Sequence, residues 1–314
     1  MSVLRSMLYI PGNNLRMVTK SVNLTADAII LDLEDAVPML DKATARIVVR
    51  DSIQPIKDSG SAVFVRVNAL ITGLTAVDVD GVTIQGLDGF MLSKSETAED
   101  VLALVTLIEA AEKKAGLAPG SLTIIPLIES ARGVMNAHAI AGSSPRVTAL
   151  AFGAGDYYRD LGRAVTALSA GEDELLFARS MIVNAGRAAG VQAIDTPFLG
   201  LLTDKETFTN QTLRALRLGF KGKQTIHPMQ IDLINESFSP SEAEVDYARR
   251  LVVAFEEAQK KGLGATSFEG KMIDLMSQKQ ALALVEFADT LAAKAKQREG
   301  ASEIGLQRFF PHAG

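Results

Sequence analysis

Five acids in this chain, Glu34, Asp35, Glu129, Asp156 and Asp195, each end or closely follow a short run of aliphatic residues, and so do Arg66 with Asn68, Lys94 and His227. Carboxylates and cations gathered in this way can bind a metal, move a proton or hold an anionic substrate. Glu129 and Asp156 are the pair best suited to a metal, because two hard oxygen ligands with room for water and substrate oxygens match Mg²⁺. Zinc fits poorly, since the chain has no cysteine and, of its three histidines, only His227 follows such a run. Arg66, in Phe64-Val-Arg-Val-Asn68, interrupts an otherwise apolar stretch, and a guanidinium there suits a two-point grip on a carboxylate. From the residues alone the plainer alternatives stay open. The acids could cap helices or pair with Arg66 and Lys94, and Arg66 could form a structural ion pair with Glu34. A lone histidine such as His227 is more often a hydrogen-bonded scaffold residue than a catalyst.

Composition narrows the chemistry further. Without cysteine, disulfides, thiolate metal sites and cysteine nucleophiles are excluded. A net charge of −5, with 32 basic residues spread along the chain, leaves no electrostatic footprint for duplex nucleic acid. No window approaches the roughly eighteen uninterrupted apolar residues of a membrane span, and Met1-Ser-Val-Leu-Arg5 lacks the layout of a signal peptide, so a soluble, cytoplasmic protein is expected. Two glycine patterns mislead. Gly153-Ala-Gly155-Asp156 lacks the third glycine of a dinucleotide fingerprint, and Gly219-Phe-Lys-Gly222-Lys223-Gln224 lacks the spacing and hydroxyl of a P-loop.

The elements that must carry these residues follow from the aliphatic runs themselves. Met7–Ile10, Ala28–Leu33, Ala62–Val67, Gly89–Leu92, Leu122–Ile128, Val147–Phe152, Val191–Ile194 and Lys223–Ile226 alternate with helical patterns, which predicts repeated βα units. Eight strands in about 238 residues favour a closed (β/α)8 TIM barrel over an open sheet. The polar residues above then fall at the C-terminal rim, where barrel active sites are assembled. Residues 98–115 carry apolar positions at helical spacing, and Gly116 stands where a left-handed cap would sit. Ser239-Pro240-Ser241-Glu242 reads as a capping box opening a further helix that stops near Gly262. The barrel is accordingly expected over 1–238 and a mostly helical C-terminal segment over 239–314.

Taken in order, a set of motifs covers nearly the whole chain: Arg5-Ser-Met-Leu-Tyr-Ile-Pro-Gly12, Leu31-Asp-Leu-Glu-Asp-Ala-Val37 with Lys42 and Ala45-Arg46, Arg66-Val-Asn68, Ile128-Glu-Ser130, Phe152-Gly-Ala-Gly-Asp156, Gly219-Phe-Lys-Gly-Lys223, Ile226-His-Pro228 and Gly270-Lys-Met-Ile-Asp274. Each is weak alone, but the ordered set closely resembles the citrate lyase β-subunit-like family, relatives of malyl-CoA and citramalyl-CoA lyases in the HpcH/HpaI aldolase superfamily. The resemblance implies that Glu129 and Asp156 hold Mg²⁺, and that Arg66 grips the carboxylate of the keto-acid half of the substrate. It also implies that Tyr9, Arg16 and Lys20 help bind CoA, with His227 a further rim residue. Asp274 resembles the family's acid/base aspartate, delivered by the C-terminal segment into a neighbouring subunit's site, so a homotrimer or homohexamer is implied. Glu34 and Asp35 join Arg66 and Asp274 in the candidate catalytic set. The tail from Glu299, ending Arg308-Phe-Phe-Pro-His-Ala-Gly314, matches nothing in the family.

The activity so implied is a magnesium-dependent carbon–carbon lyase that cleaves a 3-hydroxyacyl-CoA of the citramalyl-CoA, malyl-CoA or citryl-CoA type into acetyl-CoA and a 2-keto acid. The rival readings are a citrate lyase β subunit acting on an acyl-carrier thioester, a malyl-CoA thioesterase and a pyruvate-type class II aldolase. Tyr9, Arg16, Lys20 and the Asp274 segment argue against the aldolase.

Overall fold

A computed structural model of the chain describes residues 3–169 and 171–299, together with 301, 304 and 309. Eight strands close into an all-parallel barrel in which β1 pairs with β2 and with β8. They are β1 (Ser6–Pro11), β2 (Ala28–Asp32), β3 (Ala62–Val67), β4 (Gly89–Leu92), β5 (Thr123–Ile128), β6 (Ala149–Phe152), β7 (Gln192–Asp195) and β8 (Gly222–Thr225). Around them run α1 (Leu15–Lys20), α2 (Lys42–Asp58), α3 (Thr75–Val82), α4 (Ala98–Ala115), α5 (Ala131–Ala141), α6 (Ala154–Asp160), α7 (Leu176–Ala189), α8 (Lys205–Leu218) and α9 (Ile231–Ser237). The runs expected as strands are the strands, within a residue or two at their ends.

Side chains alternate across each strand, and that parity divides the core in two. Met7, Ile30, Phe64, Met91, Ile125, Leu127, Ala149, Ala151 and Ile194 fill the barrel lumen. Leu8, Ile29, Leu31, Val65, Leu92, Ile124, Ile128 and Phe152 face outward into the helices. Because both faces are covered, the strands read as continuous apolar runs rather than alternating ones. In α4, Thr97 and Asp100 form a capping box, and Gly116 takes the left-handed C-cap at φ 69° as its position predicts.

Beyond the barrel stands an arm made of α10 (Glu242–Lys260), the antiparallel hairpin β9 (Ala265–Phe268) and β10 (Lys271–Asp274), and α11 (Leu275–Arg298). One expectation needs correction here. The cap of α10 is Ser241, whose partner is Glu244, rather than Ser239. The Ser239 hydroxyl is instead engaged by Arg5 at 2.7 Å and donates to the Asn235 carbonyl. The arm is mostly helical, as expected, and within it a two-residue turn at Glu269 and Gly270, both at positive φ, closes the hairpin.

The arm is rooted at the N-terminal face of the barrel. Lys294 reaches Asp27 at 2.9 Å, and Arg298 donates to the carbonyls of Gly60 and Thr25 at 3.2 and 2.7 Å. Twenty residues of helix separate Lys294 from Asp274, so Asp274 stands about 30 Å along the helix axis from that root. Apart from residues 299, 301, 304 and 309, the unmatched tail lies outside the described residues.

Candidate active site

The lumen parity decides which rim residues meet. Tyr9 continues the inward series of Met7, Asp32 that of Ile30, Arg66 that of Phe64, and Glu129 that of Leu127, so four polar side chains converge at the C-terminal mouth. Asp195 has the opposite parity to Ile194 and points outward. It is fully buried against Arg179 at 2.9 Å and Lys223 at 2.7 Å, with Glu172 closing the network at 2.6 Å on Arg179. Asp195 therefore belongs to the packing between barrel and α7, not to the rim where the sequence reading placed it.

Arg66 is held by Asp32 rather than mainly by Glu34. Its Nε and Nη2 donate to the two Asp32 oxygens at 2.7 and 2.6 Å, while Nη1 stands 3.2 Å from Glu34 Oε2. The guanidinium also lies over the Tyr9 ring, 4.8 Å from its centroid. Burial opposes the charge, yet Asp32 holds Arg66 well above the ordinary guanidinium range. The two-point grip foreseen for a substrate is thus engaged by Asp32 along one edge, and the Nη1 side remains toward the mouth. Tyr9 donates to Gln224 Oε1 at 2.6 Å, and burial pushes its phenol far above the usual range. Gln224 in turn donates to the carbonyls of Phe152 and Asp195 at 2.9 and 3.0 Å.

Lys94 ties the acids together. It follows β4 with φ 51°, an uncommon backbone for a residue with a side chain. Its N–H donates to Glu129 Oε1 at 2.8 Å and its ammonium reaches Glu34 Oε1 at 2.6 Å, with Asp35 at 3.7 Å. Glu129 is 5% exposed and has no cation in ion-pair reach among the described residues. Burial first, then the charges of Glu34 and Asp156, push its carboxyl up to about 8. Burial likewise raises Glu34, against the pull of Arg66. Gly153 approaches Glu129 so closely that an added Cβ would stand 2.7 Å from its Oε2. Asp156, in the first turn of α6, pairs with the exposed Arg159. Five carboxylates, Asp32, Glu34, Asp35, Glu129 and Asp156, thus meet three cations, Arg66, Lys94 and Arg159, leaving an excess of two acids.

The remaining expected residues lie apart. Arg16 and Lys20 are exposed on α1, and their side chains pair with no described residue. Asp35 is exposed. His227 accepts the Met229 N–H at 3.3 Å as the cap of a single turn, which is a scaffold role. Asp274 caps α11 through Ser277 N–H and hydroxyl, both at 2.9 Å, and those bonds hold its carboxyl below the usual range. It is not brought to its own chain's rim cluster. Asp32 and Gln224 were absent from the expected rim residues, and Lys94 was expected there only as one of the rim cations. Asp32 lies two residues beyond Ile30 on the lumen side, a parity that a run apolar on both faces does not disclose, and nothing local marks the αL backbone of Lys94, which is a tertiary feature.

Residues 5–228 match the HpcH/HpaI aldolase/citrate lyase family. The chain belongs to that family. Citrate lyase subunit beta of Escherichia coli is 42% identical over 270 residues, 86% of this chain and 88% of the relative. The L-malyl-CoA/beta-methylmalyl-CoA lyase of Cereibacter sphaeroides is 35% identical over 307 residues, 92% of this chain and 96% of that one. Among solved structures, the protein CitE from Mycobacterium tuberculosis in complex with magnesium, acetoacetate and coenzyme A superposes with a TM-score of 0.72 at 29% identity, covering 92% of this chain and 99% of the other. This HpcH/HpaI family member is accordingly an enzyme of the lyase class. Among the described residues no helix is long and apolar enough to cross a membrane.

Proposed function

We propose that this enzyme is a magnesium-dependent carbon–carbon lyase acting on a 3-hydroxyacyl-CoA of the malyl-CoA, citramalyl-CoA or citryl-CoA type, releasing acetyl-CoA and a 2-keto acid. The observation that carries the reading is Glu129, a buried carboxylate next to Asp156 with no cation of its own, in the same mouth as Arg66. An excess of two acids suits a divalent cation, and the Gly153 backbone leaves the Glu129 carboxylate room that any side chain would fill. No three His, Cys, Asp or Glu residues converge as a closed cage among the described residues. With Glu129 and Asp156 as its two protein ligands, a hard ion would keep water and substrate oxygens in the rest of its shell. The magnesium named for the relative from M. tuberculosis supports the same choice.

Each side chain then has a place in the reaction. Arg66 orients the carboxylate of the hydroxy-acid end. Glu34, beside Arg66 and Lys94, receives the hydroxyl proton, the carbon–carbon bond breaks as the hydroxyl carbon becomes a carbonyl, and the electron pair passes to the thioester enolate. A proton delivered to carbon completes acetyl-CoA, and Asp274 of a neighbouring copy is its source. Bound magnesium supplies a Lewis acid for the developing oxyanion and orients the keto acid. Arg16 and Lys20, both exposed and unpaired, are available for CoA phosphates.

The arm supports the homo-oligomer, trimer or hexamer, that the family resemblance implies. Asp274 is flanked by Met272, Leu275 and Met276, at 79%, 47% and 59% exposure, an apolar tip around an acid. The βα loops of the barrel expose Met39, Leu40, Ile71 and Leu201, an apolar rim suited to receive such a tip.

The test is a panel of malyl-CoA, citramalyl-CoA and citryl-CoA with Mg²⁺, scored by product. Acetyl-CoA with glyoxylate, pyruvate or oxaloacetate is the expected result and names the substrate. Free hydroxy acid with CoA would identify a thioesterase, and cleavage of free hydroxy-keto acids alone would identify an aldolase.

A further inference from the structure

We infer that Asp32 is a positioning residue that decides which edge of the Arg66 guanidinium is left for a substrate carboxylate. The inference rests on the reading of Arg66 given above and goes beyond it by naming what aims the arginine.

Asp32 and Arg66 are register partners on β2 and β3, so their side chains leave neighbouring strands side by side toward the lumen. The Asp32 carboxylate, buried at 1% exposure, receives four donors. Two come from Arg66 Nε and Nη2, and two from the N–H groups of Glu34 and Ala36, at 2.9 and 3.1 Å. One carboxylate therefore fixes both the guanidinium plane and the turn that carries Glu34. The Tyr9 ring covers one face of that plane. With one edge and one face taken, the Nη1 side is what the mouth can use, and it already points at Glu34.

Arg5 at the opposite end of the barrel shows what a closed version of this fork looks like. Its Nε and Nη2 grip Asp27 at 2.8 and 3.0 Å in the same way, but its Nη1 is capped by the Ser239 hydroxyl at 2.7 Å. The third edge of Arg5 is neutralised by a structural partner. That of Arg66 faces a carboxylate beside an opening, the geometry of an anion subsite held half-filled.

Equilibrium binding separates positioning from simple structural support. Wild type, Asp32→Asn, Arg66→Lys and the double variant are titrated first with Mg²⁺ alone, then, at saturating Mg²⁺, with pyruvate, glyoxylate and oxaloacetate in turn. Asparagine keeps the size but turns one acceptor into a donor that faces Arg66 together with the N–H of either Glu34 or Ala36. Asp32→Asn is expected to weaken keto-acid binding about tenfold while changing Mg²⁺ affinity little, and to add little to the loss already caused by Arg66→Lys, because both act through one guanidinium. Equal losses for Mg²⁺ and keto acid, or additive losses in the double variant, would overturn the inference. Should Asp32→Asn not fold, Asp32→Glu keeps the charge but displaces the fork, with the same pattern expected and the same contrary results decisive. If wild type itself binds none of the three keto acids, the reading of Arg66 falls and this inference with it. If wild type binds one and Asp32→Asn binds it equally well, only the role of Asp32 falls.

Discussion

Asp27 and Glu129 are both carboxylates buried in the same barrel, one at each end, and their ionisation is pushed in opposite directions. Burial alone would raise both. Asp27 ends below its ordinary range because the Arg5 fork and Lys294 outweigh that burial. Glu129 rises to about 8 because burial is reinforced by Glu34 and Asp156 and answered chiefly by one backbone N–H. At the N-terminal end the cations outnumber the acid, but their spare protons end on the carbonyls of Val3, Thr25 and Gly60. At the C-terminal end the surplus is acidic and faces an opening. A buried charge whose partners complete it holds the fold together, and one left incomplete at a mouth is a candidate to bind a ligand.

The sharpest way to break this comparison is to neutralise each acid and ask what is lost. Glu129→Gln or Asp156→Asn should lower magnesium-dependent turnover by about a thousandfold or more while leaving the unfolding midpoint of the metal-free enzyme essentially unchanged. Full activity in either variant, or rates indifferent to excess chelator, would remove the metal assignment. Asp27→Asn should do the reverse. It strands Arg5 and Lys294 in a buried site and should cost about 3–5 kcal/mol in denaturant unfolding, with activity per folded molecule retained.

The same residue predicts a pH effect. Its folded pKa lies below the unfolded value of about 3.9, so its contribution to stability is complete above that value and is lost as pH falls through the lower folded one. In an acid titration of stability, the Asp27→Asn variant should accordingly show a shallower loss than wild type. An unchanged slope would mean that Asp27 is not the linked group.

The contrast between the two ends also explains what could be read from the chain alone. Eight aliphatic runs sufficed for the barrel, because strands covered on both faces leave an unbroken apolar signature. Runs that are apolar on both faces hide their parity, so Asp195 could be separated from Asp32 only once Ile194 and Ile30 were seen to set the inward face of their strands. The partner of Arg66 could not be chosen between Asp32 and Glu34 without the register of β2 against β3. Lys94 was visible only as a rim lysine. Its main-chain bond to Glu129 depends on a left-handed backbone that no neighbouring glycine announces. The arm hairpin was missed because its strands are four residues each and Ile273 is their one fully buried side chain, too little to leave a pattern.

Arg66→Lys gives a smaller effect than loss of the metal ligands. Lysine keeps the charge but cannot hold Asp32 with two parallel bonds and still present a second nitrogen to substrate. A loss of about 10- to 100-fold in kcat/KM is expected, carried more by KM for the keto acid in the condensation direction than by Mg²⁺ affinity. Unchanged kinetics would make the Asp32–Arg66 pair a structural ion pair like Asp27–Arg5, and the two ends of the barrel would no longer differ in kind.

The smallest signal, and the one that tests the arm, is complementation between two inactive variants. α11 is rooted by Lys294 and Arg298 at the N-terminal face, and its 24 residues carry Asp274 away from that root, so the acid's own rim cluster gains nothing from it. Asp274→Asn should fold, assemble, and bind Mg²⁺ and keto acid as wild type does. It should nevertheless lose most turnover and most exchange of acetyl-CoA methyl protons with solvent. Asp156→Asn should be inactive for a different reason. If each site combines the metal ligands of one copy with Asp274 of another, subunits mixed in equal amounts and allowed to reassemble at random will make about one site in four from two intact halves. Activity should then return to about a quarter of wild type, a recovery neither parent shows alone. If labelled subunits exchange yet no activity returns, while Asp274→Asn remains inactive, the acid must serve its own chain, and the arm would have to fold back across the barrel to reach Glu129.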